Sequence, residues 1–326
     1  SIFKIFPKMK RILSIVALVF LINACDDGNL QVDNIHFEDV VANKCTEKDV
    51  IYKIKDSEIL FIEIPATTFV NDNTPEGVPI SIPISSTVKV TYRQYNDIVT
   101  LGNICPTVPS ATPNVIEEWT ATSGTIQITS TAIKTTNTTT NATTISGYKH
   151  YIVFKDITFQ KPNGIQTYET YIFGNYNINL TALPLSFNID NGQKSTCSNT
   201  VYNFSGSEVL AFTPADFSSL FANEVTTTPR TVLLDASNTI TYRLFNNLVD
   251  DTYFCATPTP TIPVLNQQWN AVVGEAGVSG MIEVTTTTFG TGFQHTIHLK
   301  KVSLQKGNST FSLGDDFIFG KIITNP

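Results

Sequence analysis

Two stretches of this chain carry the same residues 150 positions apart, and that repetition limits what the chain can fold into more than its composition does. Tyr92, Arg93 and Asn96 are followed by Cys105, a proline-rich run and Trp119; Tyr242, Arg243 and Asn246 are followed by Cys255, a second proline-rich run and Trp269. Phe37 matches Phe187, and Ser57-Glu58-Ile59-Leu60 matches Ser207-Glu208-Val209-Leu210, at that same shift. His150 to Lys161 matches His295 to Lys306 at a shift of 145. Such a chain reads as a tandem duplication, in which each copy must bury a core of its own. At 326 residues it has room for two units of roughly 150 residues, each large enough to do so. We place the first at residues 34–180 and the second at 181–326.

Within each copy, apolar and polar residues alternate over short segments bounded by Gly, Pro, Asn and Asp, the pattern of half-buried strands. Val88, Val90 and Tyr92 alternate with Lys89, Thr91 and Arg93, and Ile126 and Ile128 with Thr125, Gln127 and Thr129; Ile240 with Tyr242, and Ile282 with Val284, repeat both segments. From His150 to Gln160 the phase slips, because Ile152 and Phe154 set one phase and Ile157 and Phe159 the other, and Ile297, Leu299, Val302 and Leu304 repeat the slip. That predicts a bulge near Lys155 and Lys300, or a bend that carries the strand between sheets. Each copy closes on an Ile-Phe-Gly strand, Ile172-Phe173-Gly174 and Ile318-Phe319-Gly320. The fold class is therefore read as all-β, two tandem β-sandwich domains of Ig-like or jelly-roll-like type. The connection between them is nearly absent, which predicts close packing or a modest hinge. Thr135 to Ser146, rich in Thr and Asn, reads as a solvated hairpin loop.

Cys45 and Cys105 belong to the first copy and Cys197 and Cys255 to matching places in the second, so repeat symmetry pairs Cys45 with Cys105 and Cys197 with Cys255. The alternative, a four-cysteine metal site, lacks the paired C-x-x-C spacing that brings two thiolates to one ion. Disulfides imply an oxidising compartment. Cys25 is left over.

Met9, where we place the start of translation, is followed by Lys10, Arg11, an apolar run from Ile12 to Ile22, and Leu21-Ile22-Asn23-Ala24-Cys25. This resembles the lipobox of bacterial lipoproteins. The resemblance implies that residues 1–8 lie outside the protein, that 9–24 are a cleaved signal peptide, and that Cys25 is lipidated. Residues 25–33, with Asp26 and Asp27, then form a tether holding the domains at a membrane. The same resemblance implies the Gram-negative cell envelope, at the outer membrane, on its periplasmic face or the cell surface.

No constellation of reactive residues repeats. Trp119 and Trp269 each follow a half-cystine by 14 residues; the plain reading is a core Trp packed on its disulfide, as in many sandwiches, and the sharper one is a platform for stacking a ligand such as a sugar ring. The proline runs read as extended edge segments. His150 and His295 match, yet neither has a ligand partner at strand spacing, and His298 points away from His295. Gly277-Val278-Ser279-Gly280 lacks the spacing of a nucleophile elbow. The pairs Glu117-Glu118, Asp250-Asp251 and Asp315-Asp316 diverge on strands. Asn71, Asp72, Asn73 and Glu76 offer oxygens for calcium without the spacing of a calcium loop, and read as a turn.

Charge excludes one class of partner. Lys plus Arg against Asp plus Glu is 10 to 15 over residues 30–180 and 7 to 11 over 181–326, so neither half offers the basic surface on which nucleic-acid binding depends. The expected function is a lipid-anchored, non-enzymatic binding or accessory module without metal or cofactor, held to the membrane by its anchor, with a glycan or an envelope protein as partner. The alternatives are a carbohydrate-active or other hydrolase with loop-borne carboxylates, and a structural subunit of an outer-membrane assembly.

Overall fold

Strands that alternate in sequence pair with their neighbours in antiparallel order throughout the computed structural model, which describes residues 34–326. The residues read as a signal peptide, Cys25 and the expected tether lie outside the described residues. In the first half, β1 (Asn43–Lys44), β2 (Val50–Lys55), β3 (Glu58–Glu63), β4 (Ile80–Pro83), β5 (Lys89–Tyr95), β6 (Val115–Thr136), β7 (Thr143–Lys161) and β8 (Gly164–Asn179) form one sheet in the order β1-β2-β3-β5-β6-β7-β8, with β4 paired to β6. The second half comprises β9 (Gly192–Lys194), β10 (Val201–Ser205), β11 (Glu208–Thr213), β12 (Arg230–Leu233), β13 (Thr239–Phe245), β14 (Leu265–Ala271), β15 (Met281–Phe289), β16 (Gly292–Lys300), β17 (Ser303–Lys306), β18 (Ser309–Ser312) and β19 (Asp316–Thr324). These form two sheets, β18-β17-β14-β13-β11-β10-β9 and β12-β15-β16-β19. Among the described residues no sheet crosses residue 180, and the protein is all-β with the layering of the β-sandwich class. Its two α-helices among the described residues are single turns, α1 (Phe217–Leu220) and α2 (Asp251–Cys255).

The phase slip marks where the two halves differ. In β7 the residue after Lys155, Asp156, takes φ 50° and drops out of the pairing on both sides, so the strand changes face and continues. In the second half Lys301 takes φ 48° between β16 and β17, which join different sheets. A positive φ is costly for a non-glycine residue, and at both places it flips the alternation so that apolar side chains still point inward. The Ile-Phe-Gly segments supply matching bulges: Ile152 faces Gly174 while Val153 faces Ile172, and Ile297 faces Gly320 while His298 faces Ile318. The residue squeezed out of register is Phe173 or Phe319, and both are fully buried.

In the second half the core lies between the sheets, with Leu210, Phe212, Ile240, Tyr242 and Leu304 on one side and Ile282, Val284, Ile297 and Leu299 on the other. The connecting segment joins it, since Leu183, Leu185 and Phe187 pack against that core. Glu208, itself buried, holds the segment by accepting from the Leu185 N–H at 2.6 Å and the Ser186 N–H at 3.3 Å.

Residues 38–326 form one compact unit, and polar contacts stitch its halves together. Asp72 accepts from the Asn308 N–H at 3.0 Å and the Ser309 hydroxyl at 2.6 Å, and Tyr148 donates to Ser309 Oγ at 2.9 Å. The Asn- and Thr-rich loop is not simply solvated: Asn141 donates to Asp315 Oδ2 at 2.6 Å, and Asp315 N–H donates to Thr140 O at 2.8 Å. Gly307, at φ +58°, has no room for a Cβ, which would lie 2.1 Å from Asp72 Oδ2.

Candidate functional site

Cys45 bonds to Cys105 and Cys197 to Cys255, with Cα separations of 5.2 and 5.7 Å. Each bond draws the cysteine loop over the outer face of its sheet. There Val50, Tyr52, Ile59, Phe61 and Tyr95 form a second small core in the first half, and Tyr202, Val209, Ala211, Phe245 and Val249 in the second. This explains why β2, β3, β10 and β11 are apolar on both faces. The proline runs lie in these loops as irregular chain and not as edge strands, because Asn96 and Asn246 tie the loop ends through both backbone and side chain, accepting from Asn114 N–H and Val264 N–H at 2.9 Å.

The repeated Tyr-Arg pair is likewise architectural. Tyr92 and Tyr242 point inward and donate to Glu58 at 2.5 Å and Glu208 at 2.7 Å. Burial, and then the carboxylate partner, push both phenols far above the usual range. Arg93 and Arg243 point outward over Phe61 and Phe254.

Trp119 is 0% exposed and Trp269 4% exposed, so both are wall material of the core. Neither packs on its disulfide, which corrects the expected Trp–cystine arrangement. The reason is strand parity: Trp119 pairs with Tyr92, which pairs with Leu60, whereas the disulfide packs with Ile59 and Phe61 on the opposite face. The Trp neighbours are instead Tyr92, ring centroids 5.1 Å apart, and Phe311 beside Trp269 at 5.0 Å. A fully buried Trp119 has no face on which to stack a ligand, so the platform reading fails for it; Trp269 retains one edge on a cleft, described below.

His150 and His295 are both fully buried, each 2.7 Å from a hydroxyl at Nδ1, Ser130 or Thr286. Burial pushes both imidazoles down to about 4, Arg230 adding to the effect at His295. His295 Nε2 meets Thr324 Oγ1 at 2.7 Å, but register puts Ile178 at that place in the first half, and His150 Nε2 has no partner among the described residues. His298 faces outward and pairs with Asp316 at 2.8 Å.

The carboxylate pairs diverge. Glu117 accepts from the Trp119 indole at 2.6 Å while Glu118 holds Arg93 at 2.6 Å. Asp250 caps α2, and Asp251 accepts from Ser195 and Thr196 hydroxyls at 2.8 and 2.7 Å. Burial raises the Asp251 carboxyl, yet these hydrogen bonds prevail and hold it below the usual range. Cys197, Asp251 and Cys255 come close enough to share a metal ion, but the two sulfurs are bonded to each other. Ser279 sits in a tight turn, its N–H donating to Glu275 O at 3.0 Å. Asp72 and Asn73 are spent on the contact between the halves, Asn73 receiving from Asn308 and donating to it; Asn71 and Glu76 are exposed.

The sequence offers no hint of the cleft that opens beside that contact, because its residues come from both halves. It measures about 310 Å³, the lower end of the ~300–1,000 Å³ usual for small-molecule pockets. Its apolar wall is Ile145, Leu180, Leu183, Leu185, Trp269 and Phe311 with the Tyr148 ring, and its polar groups include Asn71, Gln267 and Lys306. Gln267 Oε1 accepts from the Trp269 indole at 3.1 Å, and Lys306 Nζ lies 5.3 Å from the Trp269 ring centroid. Such a surface offers apolar contact and hydrogen bonding. No protein-family model, curated protein or solved structure matches the chain.

Proposed function

We propose that this protein is a duplicated, lipid-anchored module of the cell envelope that binds a small, largely apolar ligand in the cleft between its halves. The observation that carries the reading is the composition of that cleft: three aromatic rings and four aliphatic side chains from the two halves converge on a space sized for one small molecule, with amide and ammonium groups among its lining. A few fixed polar groups in an apolar wall are what orientation-specific small-molecule sites use. The anchor rests on the resemblance of Leu21 to Cys25 to a lipobox, and the duplication on the residue matches and on the equal registers of Tyr92 with Trp119 and Tyr242 with Trp269.

Thr144 is exposed and lines the cleft, so Thr144→Trp should obstruct it without touching either core. Ligand-observed NMR against a fragment library, run on the wild type and on this variant, tests the reading. Fragments that bind the wild type and are lost in the variant support it; a set of hits that the variant leaves unchanged places binding elsewhere.

One observation favours a structural-subunit reading. Exposed apolar side chains crowd the cysteine loops at related places in both halves, with Ile98, Leu101 and Val108 in the first and Leu248, Ile262 and Val264 in the second. Exposed apolar groups gathered in one region are a mark of docking.

A further inference from the structure

We propose that the ligand of the cleft is an amphipathic monoanion, a small carboxylate whose apolar body lies against Trp269, Phe311 and the leucines of the connecting segment and whose charge is met by Lys306. The proposal rests on the binding reading above and deepens it. It comes from comparing the two halves at one tryptophan.

In the first half Lys161 Nζ stands 4.2 Å from the Trp119 ring centroid, and Glu117 accepts from the indole N–H of that ring at 2.6 Å. The ring thus has a cation on its face and an anion at its edge, and Trp119 is sealed. The second half keeps the ring as Trp269 and the cation as Lys306, but Gln267 stands where the acid would be. The change removes one negative charge at the place where the structure opens a cleft. Among the described residues Lys306 is the only charged one lining it, and no carboxylate of these residues lies within ion-pairing distance of its ammonium group.

The neighbouring donors fit the same ligand. Gln267 and Asn71 line the cleft, and their side-chain amide nitrogens donate to no group of the described residues, since Gln267 uses only its oxygen, toward Trp269. An ammonium and two amides suit a carboxylate's oxygens, and a charge-assisted hydrogen bond is stronger and shorter than a neutral one. A low-dielectric apolar wall strengthens that attraction over its value in water. A cation in the ligand would face Lys306 and be repelled. The small volume limits the body to one ring or a short chain, which excludes a helix or a strand of a partner protein.

The test uses octanoate, octan-1-ol and octylammonium as probes of equal chain length, titrated against the whole protein at neutral pH and read by tryptophan emission and calorimetry. The expected order is octanoate saturable and tightest, octanol weaker by tenfold or more, octylammonium without binding. Lys306→Gln should weaken octanoate by at least tenfold while leaving octanol unchanged, which also shows that the variant is folded. Lys161→Gln, its counterpart away from the cleft, should alter neither. Octanol binding as tightly as octanoate, with Lys306→Gln indifferent, overturns the anion assignment and leaves the binding reading standing. If none of the three probes binds, the assignment and the apolar cleft reading fall together.

Discussion

Lowering the pH from 7 to 5 should destabilise this protein steeply, and two buried imidazoles set the size of the effect. His150 and His295 are 0% exposed, and burial brings each to about 4, against about 6.5 for a histidine in an unfolded chain. The unfolded chain therefore takes up protons first. The stability these groups allow is complete above about pH 6.5 and is lost as the pH falls toward 4. Integrated from pH 7 to pH 5, each imidazole removes about 2 kcal/mol of unfolding free energy, or about 4 kcal/mol for the pair. Asp49, Asp216, Asp235, Asp251 and Asp316 are all held below the usual carboxylate range, so they stay ionised in the folded protein across this window. Guanidinium unfolding at the two pH values, followed by circular dichroism, gives the difference directly. His150→Leu should abolish about half of the pH dependence. It should also cost less stability at pH 7 than His295→Leu, because among the described residues His150 Nε2 is already unpartnered whereas His295 holds both Thr286 and Thr324. Equal stability at pH 7 and pH 5, or a drop that survives when both histidines are replaced, would show that these imidazoles are not the buried neutral bases the structure makes them.

Replacing Cys197 and Cys255 together by Ser should cost roughly 3–4 kcal/mol in the chain-entropy account of a loop this long, measured as a fall in unfolding free energy, and peptide mapping without reductant should return only the two within-half pairs. Trp119→Ala should remove about 3–5 kcal/mol, and native emission should be blue-shifted and resistant to iodide; red-shifted, readily quenched emission contradicts the burial. Gly307→Ala places a methyl group against the Asp72 carboxylate and should cost about 1–3 kcal/mol, an effect that shrinks when Asp72→Ala is made with it. Cys25→Ser should abolish incorporation of an acyl probe, and labelling that persists in the variant refutes the lipobox reading.

Much of the fold was legible because local rules govern it. Period-2 alternation located the strands, and the phase slip before Ile157 and Val302 located the two places where the chain turns its faces over, one residue beyond Lys155 and Lys300. Cysteine symmetry supplied the pairings. What escaped depends on register across several strands or on partners far along the chain. The Trp–cystine contact was misread because the parity of Trp119 against Ile59 emerges only once β3, β5 and β6 are aligned. Asp72 read as a turn residue, but its partners lie 236 and 237 residues away. The cleft has no trace in either half alone. Gln267 in place of Glu117 was visible from the start, yet it acquires meaning only when Trp269 is seen to edge an opening and Trp119 is not.

The contact between the halves also fixes an order of events in the life of the chain. Whether it leaves a ribosome or threads through a membrane pore, the N-terminal half emerges first, and the turn that clasps Asp72 follows about 236 residues later. At roughly 5–20 residues per second, the first half waits for roughly ten seconds or longer with its docking face turned to water. A face made chiefly of aliphatic side chains would invite aggregation during that interval. This one meets its partner chiefly through Asp72, Asn73, Thr143 and the Tyr148 hydroxyl, groups that water satisfies equally well, and adds the apolar Ile145 side chain that packs on the second core, so little apolar surface waits uncovered until the second half arrives.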